Sequence, residues 1–172
     1  GLTDQQISDT ISEMKNEGFD AFKMKIGQDI NHDIERLTFI RKQIGEASKL
    51  MTDCNQVLGV DEAIEYMKKL SRFNITWIEE PTARDDVQGH LEIAKALEPY
   101  GIKVATGEQV QSPVIFKQLL KSGAIGYCQI DASRLGGVND VLAVILLAKK
   151  FITQCGTKLK FQVTQKIKFV NI

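Results

Sequence analysis

Apolar positions along the chain switch repeatedly between helical spacing and short continuous runs. Ile7, Ile11 and Met14 recur at helical spacing within 3–17, Thr3 with Gln6 fits a capping box, and Gly18 fits the stop that follows. The run 21–26 then reads as a strand. Ile30, Ile34, Leu37, Ile40 and Ile44 line a second helix closed by Gly45, and a strand over 50–53 follows. Asp61 is placed to cap a third helix with Ile64, Met67 and Leu70 inward. The run 75–79 is strand-like on both faces, and Pro81, which has no N–H to donate, ends it. Asp85 or Asp86 opens a helix through Leu91, Ala94 and Leu97, ended by Pro99 and Gly101. After the strand at 102–108, Ser112-Pro113 starts a helix lined by Phe116, Leu119 and Leu120 and closed by Gly123. A strand over 127–131 and a Gly136-Gly137 turn lead into a last helix over about 138–151.

Strands alternating with helices predict an α/β fold whose parallel sheet is covered by helices. The pattern yields about five strands and six helices. A closed (β/α) barrel takes eight strands and about 250 residues. The expectation is therefore a partial TIM-like barrel over 1–151. The tail 152–172 departs from it: Leu159, Phe161 and Val163, then Ile167 and Phe169, alternate with polar residues in a β-prone pattern. An unclosed sheet has two open edges, so self-association through them is expected, with the tail the nearest segment to cover the edge at 127–131.

Charge narrows the partners. Lys plus Arg and Asp plus Glu both number 22, which gives no pull toward nucleic acid. No apolar run approaches the length of a membrane span, and no signal or transit segment is seen at the start. Cys54, Cys128 and Cys155 lack C-x-x-C spacing, which suits reduced thiols in an intracellular protein.

Candidate chemistry sits at the strand ends. Asp53, Glu79, Glu108 and Asp131 close successive strand runs, at spacings of 26, 29 and 23 residues. Neighbouring parallel strands bring their carboxyl ends to one rim, where such folds bind ligands. Each pair of bare carboxylates at ~4 Å would repel by roughly 4 kcal/mol at an effective dielectric near 20. A hard divalent cation, Mg²⁺ or Mn²⁺, removes that cost. Any one of these acids alone reads more simply as a solvated loop residue or helix cap; three at matched strand ends do not. Glu79 and Glu80 are adjacent on a strand, so only one is expected to face the site. Lys23 and Lys25 are two apart and share a face. Like charge and desolvation favour a neutral amine, which is how a lysine becomes a base near neutral pH.

Lys23-Met24-Lys25, Asp53-Cys54-Asn55-Gln56, Trp77-Ile78-Glu79-Glu80-Pro81, Gly107-Glu108-Gln109 and Gln129-Ile130-Asp131 together resemble the enolase superfamily, mandelate racemase branch, and within it the L-fuconate dehydratases. The resemblance implies Mg²⁺ held by Asp53, Glu79 and Glu108. It implies Lys25 as the base that takes the proton α to a sugar-acid carboxylate, with Lys23 and Glu108 near the substrate and Asp131 orienting the general acid. The substrate it implies is L-fuconate, and a mitochondrial location is implied by resemblance alone. In the family the general acid is a histidine about 25–30 residues after the position of Asp131; the stretch from Cys155 to Phe161 holds none, and His32 and His90 lie elsewhere. The expectation is a fragment or splice-truncated dehydratase that keeps its base and metal triad and lacks its acid. The alternative is a non-catalytic metal-binding or regulatory form of the same fold.

Overall fold

The structure, a computed structural model, describes residues 3–155. The expected alternation is found. Helix α1 (Asp4–Asn16) precedes β1 (Ala21–Lys25), and α2 (Ile30–Ile44) precedes β2 (Lys49–Asp53). Then come α3 (Val60–Leu70), β3 (Ile75–Glu79), α4 (Val87–Leu97) and β4 (Lys103–Thr106). The last elements are α5 (Pro113–Ser122), β5 (Tyr127–Cys128) and α6 (Val138–Cys155). All five strands are parallel, in the order β1-β2-β3-β4-β5, so each pairs with the next in sequence and β1 and β5 are the edges. The tail 152–172, expected to be β-prone, lies outside the described residues except for the backbone that completes α6.

Local chemistry explains the helix ends. Thr3 and Gln6 form the capping box, Asp86 caps α4 through the Gly89 N–H, and the Ser112 hydroxyl accepts from Val114 N–H at the start of α5. Helix α3 differs from expectation. Gly59 is its N-cap and Asp61 lies within its first turn, where a carboxylate still favours the positive end of the helix dipole. Strand β5 is also shorter than expected, ending at Cys128.

The sheet has two apolar faces. Phe22, Met24, Leu50, Ile78, Val104 and Cys128 pack against the helices in the main core. The opposite face carries a smaller cluster of Met51, Trp77 and Ala105, with Ala21 and Tyr127 against it. The Trp77 and Tyr127 rings lie 4.3 Å apart, so Trp77 is core, as its sequence context suggests. Cys54 and Cys128 are free and buried, which keeps their thiols protonated. On the outer surface, α6 leaves Val138, Leu142 and Leu146 exposed at helical spacing.

One glycine fixes the rim. Gly107 has φ +132°, and a Cβ there would lie 2.1 Å from the Gln129 carbonyl oxygen and 2.6 Å from Phe116 Cε1. The β4 end therefore approaches β5 closely enough to exclude any side chain. Gly107→Ala should destabilise the protein by about 3 kcal/mol or more, read from urea midpoints. Gly101→Ala, at φ +72° with nothing within 4 Å, should lose only about 1–2 kcal/mol. Equal losses would refute the close approach.

Candidate active site at the carboxyl ends of the strands

Period-two alternation sends Lys23, Asp53 and Glu79 to the face that carries Met51 and Trp77. Register sets their heights: Lys25 lies opposite Asp53 and Asp53 opposite Glu79, while Lys23 lies one row lower, opposite Met51. Lys23 reaches up the sheet. Its Nζ is 3.0 Å from Asp53 Oδ2 and 2.5 Å from Glu79 Oε1, and all three residues are buried. Ala105, opposite Glu79 on β4, is small enough to leave the carboxylate room. Glu79 also accepts from Trp77 Nε1 at 3.3 Å and from the Gln129 amide. Burial pushes its carboxyl above the ordinary range, and the Lys23 charge opposes that push.

Lys25 is exposed, and its Nζ donates to Asn55 Oδ1. Asn55 (φ +45°) and Gln56 (φ +65°) are both left-handed. The bend is held because Asp53 Oδ1 accepts from Asn55 N–H at 3.0 Å and the Glu80 carbonyl accepts from Gln56 N–H at 2.8 Å. The Gln56 amide then ties two loops together, donating to Glu80 Oε1 at 3.3 Å and accepting from Arg84 N–H at 3.0 Å.

Glu80 is the residue that sequence reasoning missed. Strict alternation would turn it away from Glu79. Instead φ is +43°, outside the strand region, which breaks the alternation and buries the side chain. Burial first, and then the Glu108 carboxylate, push its carboxyl up to about 7. Pro81 gave part of the signal, since it bars Glu80 from helix, but it does not fix which way the side chain turns. Glu108 therefore reaches the acid cluster through Glu80.

The expected metal triad is not drawn around one point. Among the described residues no three Asp, Glu, His or Cys side chains converge closely enough to hold an ion. The Lys23 ammonium stands between Asp53 and Glu79 instead, as the nearest positive charge that can offset two buried carboxylates. The donor set nevertheless suits a hard cation. Asp53, Glu79, Glu80 and Glu108 outnumber Lys23, and two further buried oxygens, Gln129 Oε1 and Thr106 Oγ1, lack hydrogen-bond partners.

Asp131 stands apart from this group. It lies past the end of β5, and its Oδ1 accepts from Ser133 N–H at 2.8 Å and Ser133 Oγ at 2.7 Å. Those bonds hold its carboxyl below the usual range. Neither histidine is at the rim. His32 is exposed on α2. His90 lies in helix α4 and is fully buried; its Nδ1 lies 2.7 Å from the Asp86 carbonyl oxygen, and burial lowers its pKa.

A parallel sheet covered by helices, with functional side chains gathered at the carboxyl ends of its strands, is the frame of part of a (β/α) barrel. The chain belongs to the enolase superfamily: residues 6–168 match the family described as Enolase C-terminal domain-like. It is 50% identical over 153 residues to L-galactonate dehydratase of Hypocrea jecorina, which covers 88% of this chain and 34% of that protein. Its fold superposes on the crystal structure of human mitochondrial enolase superfamily member 1 with TM-score 0.85 and 48% identity, over 88% of this chain and 34% of that one. L-talarate dehydratase from Polaromonas sp. JS666, crystallised with Mg and L-glucarate, gives TM-score 0.79 and 32% identity, over 87% of this chain and 42% of that one. The chain thus spans about a third of the length of the curated relatives it matches.

The raised Glu80 carboxyl makes stability depend on pH. An acid whose folded-state pKa is raised favours the fold most below its unfolded value and loses that contribution as pH rises through its folded value. For Glu80 the window runs from 4.5 to about 7, and Glu79 adds in the same direction. Without divalent metal, the melting temperature should fall across that window, and Glu80→Gln should flatten much of the fall. An unchanged slope in the variant would refute the assignment.

Proposed function

We propose that this chain carries the proton-abstracting half of an acid-sugar dehydratase, acting on a six-carbon sugar acid of the L-fuconate or L-galactonate kind. The single observation that carries the reading is the Lys23–Asp53–Glu79 cluster with Lys25 poised beside it on Asn55. The dehydratases among its relatives support the reaction class. L-fuconate is L-galactonate without its terminal hydroxyl, so one site can accept both skeletons. The name of the human relative supports a mitochondrial location.

Lys25, as the neutral amine, would take the proton α to the substrate carboxylate, with Asn55 Oδ1 fixing the position of its nitrogen. Lys23 would face that carboxylate. Asp53, Glu79 and Glu108 would hold a Mg²⁺ ion, which would supply positive charge as the carboxylate gains electron density. The electron pair left by the α-proton then expels the β-hydroxyl, which needs a proton to leave as water; the enol that remains tautomerises to a 2-keto-3-deoxy acid. The described residues bring no histidine to the rim for that second proton. The non-catalytic reading, a form that binds metal or acid sugar without turnover, is favoured by the same positions of His32 and His90.

Three measurements bear on this. Mg²⁺ should raise the melting temperature by mass action, and Glu79→Gln should abolish the rise; an equal rise in the variant would sink the metal assignment. In D₂O the chain should exchange the α-proton of L-fuconate while dehydrating it at least ~100-fold more slowly than a full-length relative, since a general acid contributes about 10²–10⁴. Full dehydration by this chain would overturn that division.

The open β1 and β5 edges and the exposed α6 stripe support self-association. Light scattering should give a mass that rises with concentration, and Leu142→Lys with Leu146→Lys should lower it. A monomer at every concentration would refute the idea.

A further inference from the structure

Lys23 and the proposed cation have the same two partners. Asp53 Oδ2 and Glu79 Oε1 are the oxygens that the ammonium touches, at 3.0 and 2.5 Å, and these residues are also the proposed first ligands. All three side chains are at least nine-tenths buried. Two buried carboxylates one strand apart need a positive charge at all times, because water cannot reach them to screen it. A lysine suits the duty of a removable counter-charge. Its ammonium is compact, and its four-carbon stem can swing while the backbone stays in the sheet.

We propose that Lys23 is a resident counter-ion which a divalent cation must displace, and which is thereby handed on to the substrate carboxylate. The proposal rests on the cation site read above. With the ammonium between them, Asp53 and Glu79 together keep one net negative charge instead of two, and the site is closed to acid sugar, because the buried ammonium beside it is already engaged. When the divalent ion takes its place, its two charges balance both carboxylates and the ammonium is expelled toward the exposed Lys25. Metal loading and anion binding are then ordered: metal first, substrate second. The Trp77 and Gln129 bonds to Glu79 do not involve Lys23, so they can hold that carboxylate in place during the exchange.

The test compares the whole chain with Lys23→Met and Lys25→Met in calorimetric titrations with Mg²⁺. Both variants lose one positive charge from the same face of β1. Only Lys23→Met removes the competitor, so it should bind Mg²⁺ at least tenfold more tightly than the parent, while Lys25→Met should change affinity by less than threefold. Metal-free Lys23→Met should also melt lower than the parent and recover with Mg²⁺. A second readout needs no variant. The parent's Lys23 ammonium, held by two buried carboxylates, should give a slowly exchanging ¹H–¹⁵N signal that saturating Mg²⁺ abolishes. Equal tightening in the two variants, or a Lys23 signal that persists at saturation, overturns the displacement while leaving the cation site standing. No Mg²⁺ binding in the parent or in either variant removes the cation site, and the proposal with it.

Discussion

Two carboxylates buried at the ends of adjacent parallel strands are the constraint on which this structure turns. Asp53 and Glu79 are fixed opposite each other by the β2–β3 register, and neither is exposed to water. Left alone they would repel each other and resist burial, and the strand ends would part. Everything around them answers that problem. Lys23 supplies the charge, Trp77 and Gln129 supply hydrogen bonds, and Ala105 leaves the space. A fold concerned with stability alone would place apolar residues here. The retention of so much buried charge is itself the argument for chemistry.

The rim is held by backbone in unusual conformations. Asn55, Gln56, Glu80 and Gly107 all have positive φ, and all lie just past strand ends. Bonds between loops add to those of the ladder: Gln56 bonds Glu80, while the Glu80 N–H still reaches Ala105 on β4. Gln56 does most of this, since it bonds Glu80 with both its backbone and its side chain and takes the Arg84 N–H as well.

What the sequence made legible divides along a physical line. Period and capping are local, so the strand order and five of the helix starts could be read from residues such as Thr3, Asp86 and Ser112. The lysine pair and the strand-end acids were legible because parallel strands place residues by count. Three things were not. The left-handed turn at Glu80 is dictated by packing against β4, through its N–H bond to Ala105, and no local signal gives the sign of φ. The burial of His90 depends on how α4 lies against its neighbours, which periodicity does not fix. The ion pairs of Lys23 need a one-row offset between strands, and register is a property of pairs, not of single runs.

The sequential strand order has a consequence for how the chain folds. Each strand of the sheet is hydrogen-bonded to the one that follows it in the chain, so no sheet contact waits for a distant segment. Loop-closure entropy is then nearly the same for every added strand, and assembly can proceed unit by unit as in a repeat protein. Each pairing still joins residues more than 20 apart in the chain, so parallel strands of this kind form more slowly than helical contacts do. The sequential order also makes stability graded along the chain: β2, β3 and β4, flanked on both sides, should open last, and the edge strands β1 and β5 should fray first. The Asp53–Glu79 pair lies in the most persistent part of that gradient, whereas Lys23, its counter-charge, comes from a strand at the edge.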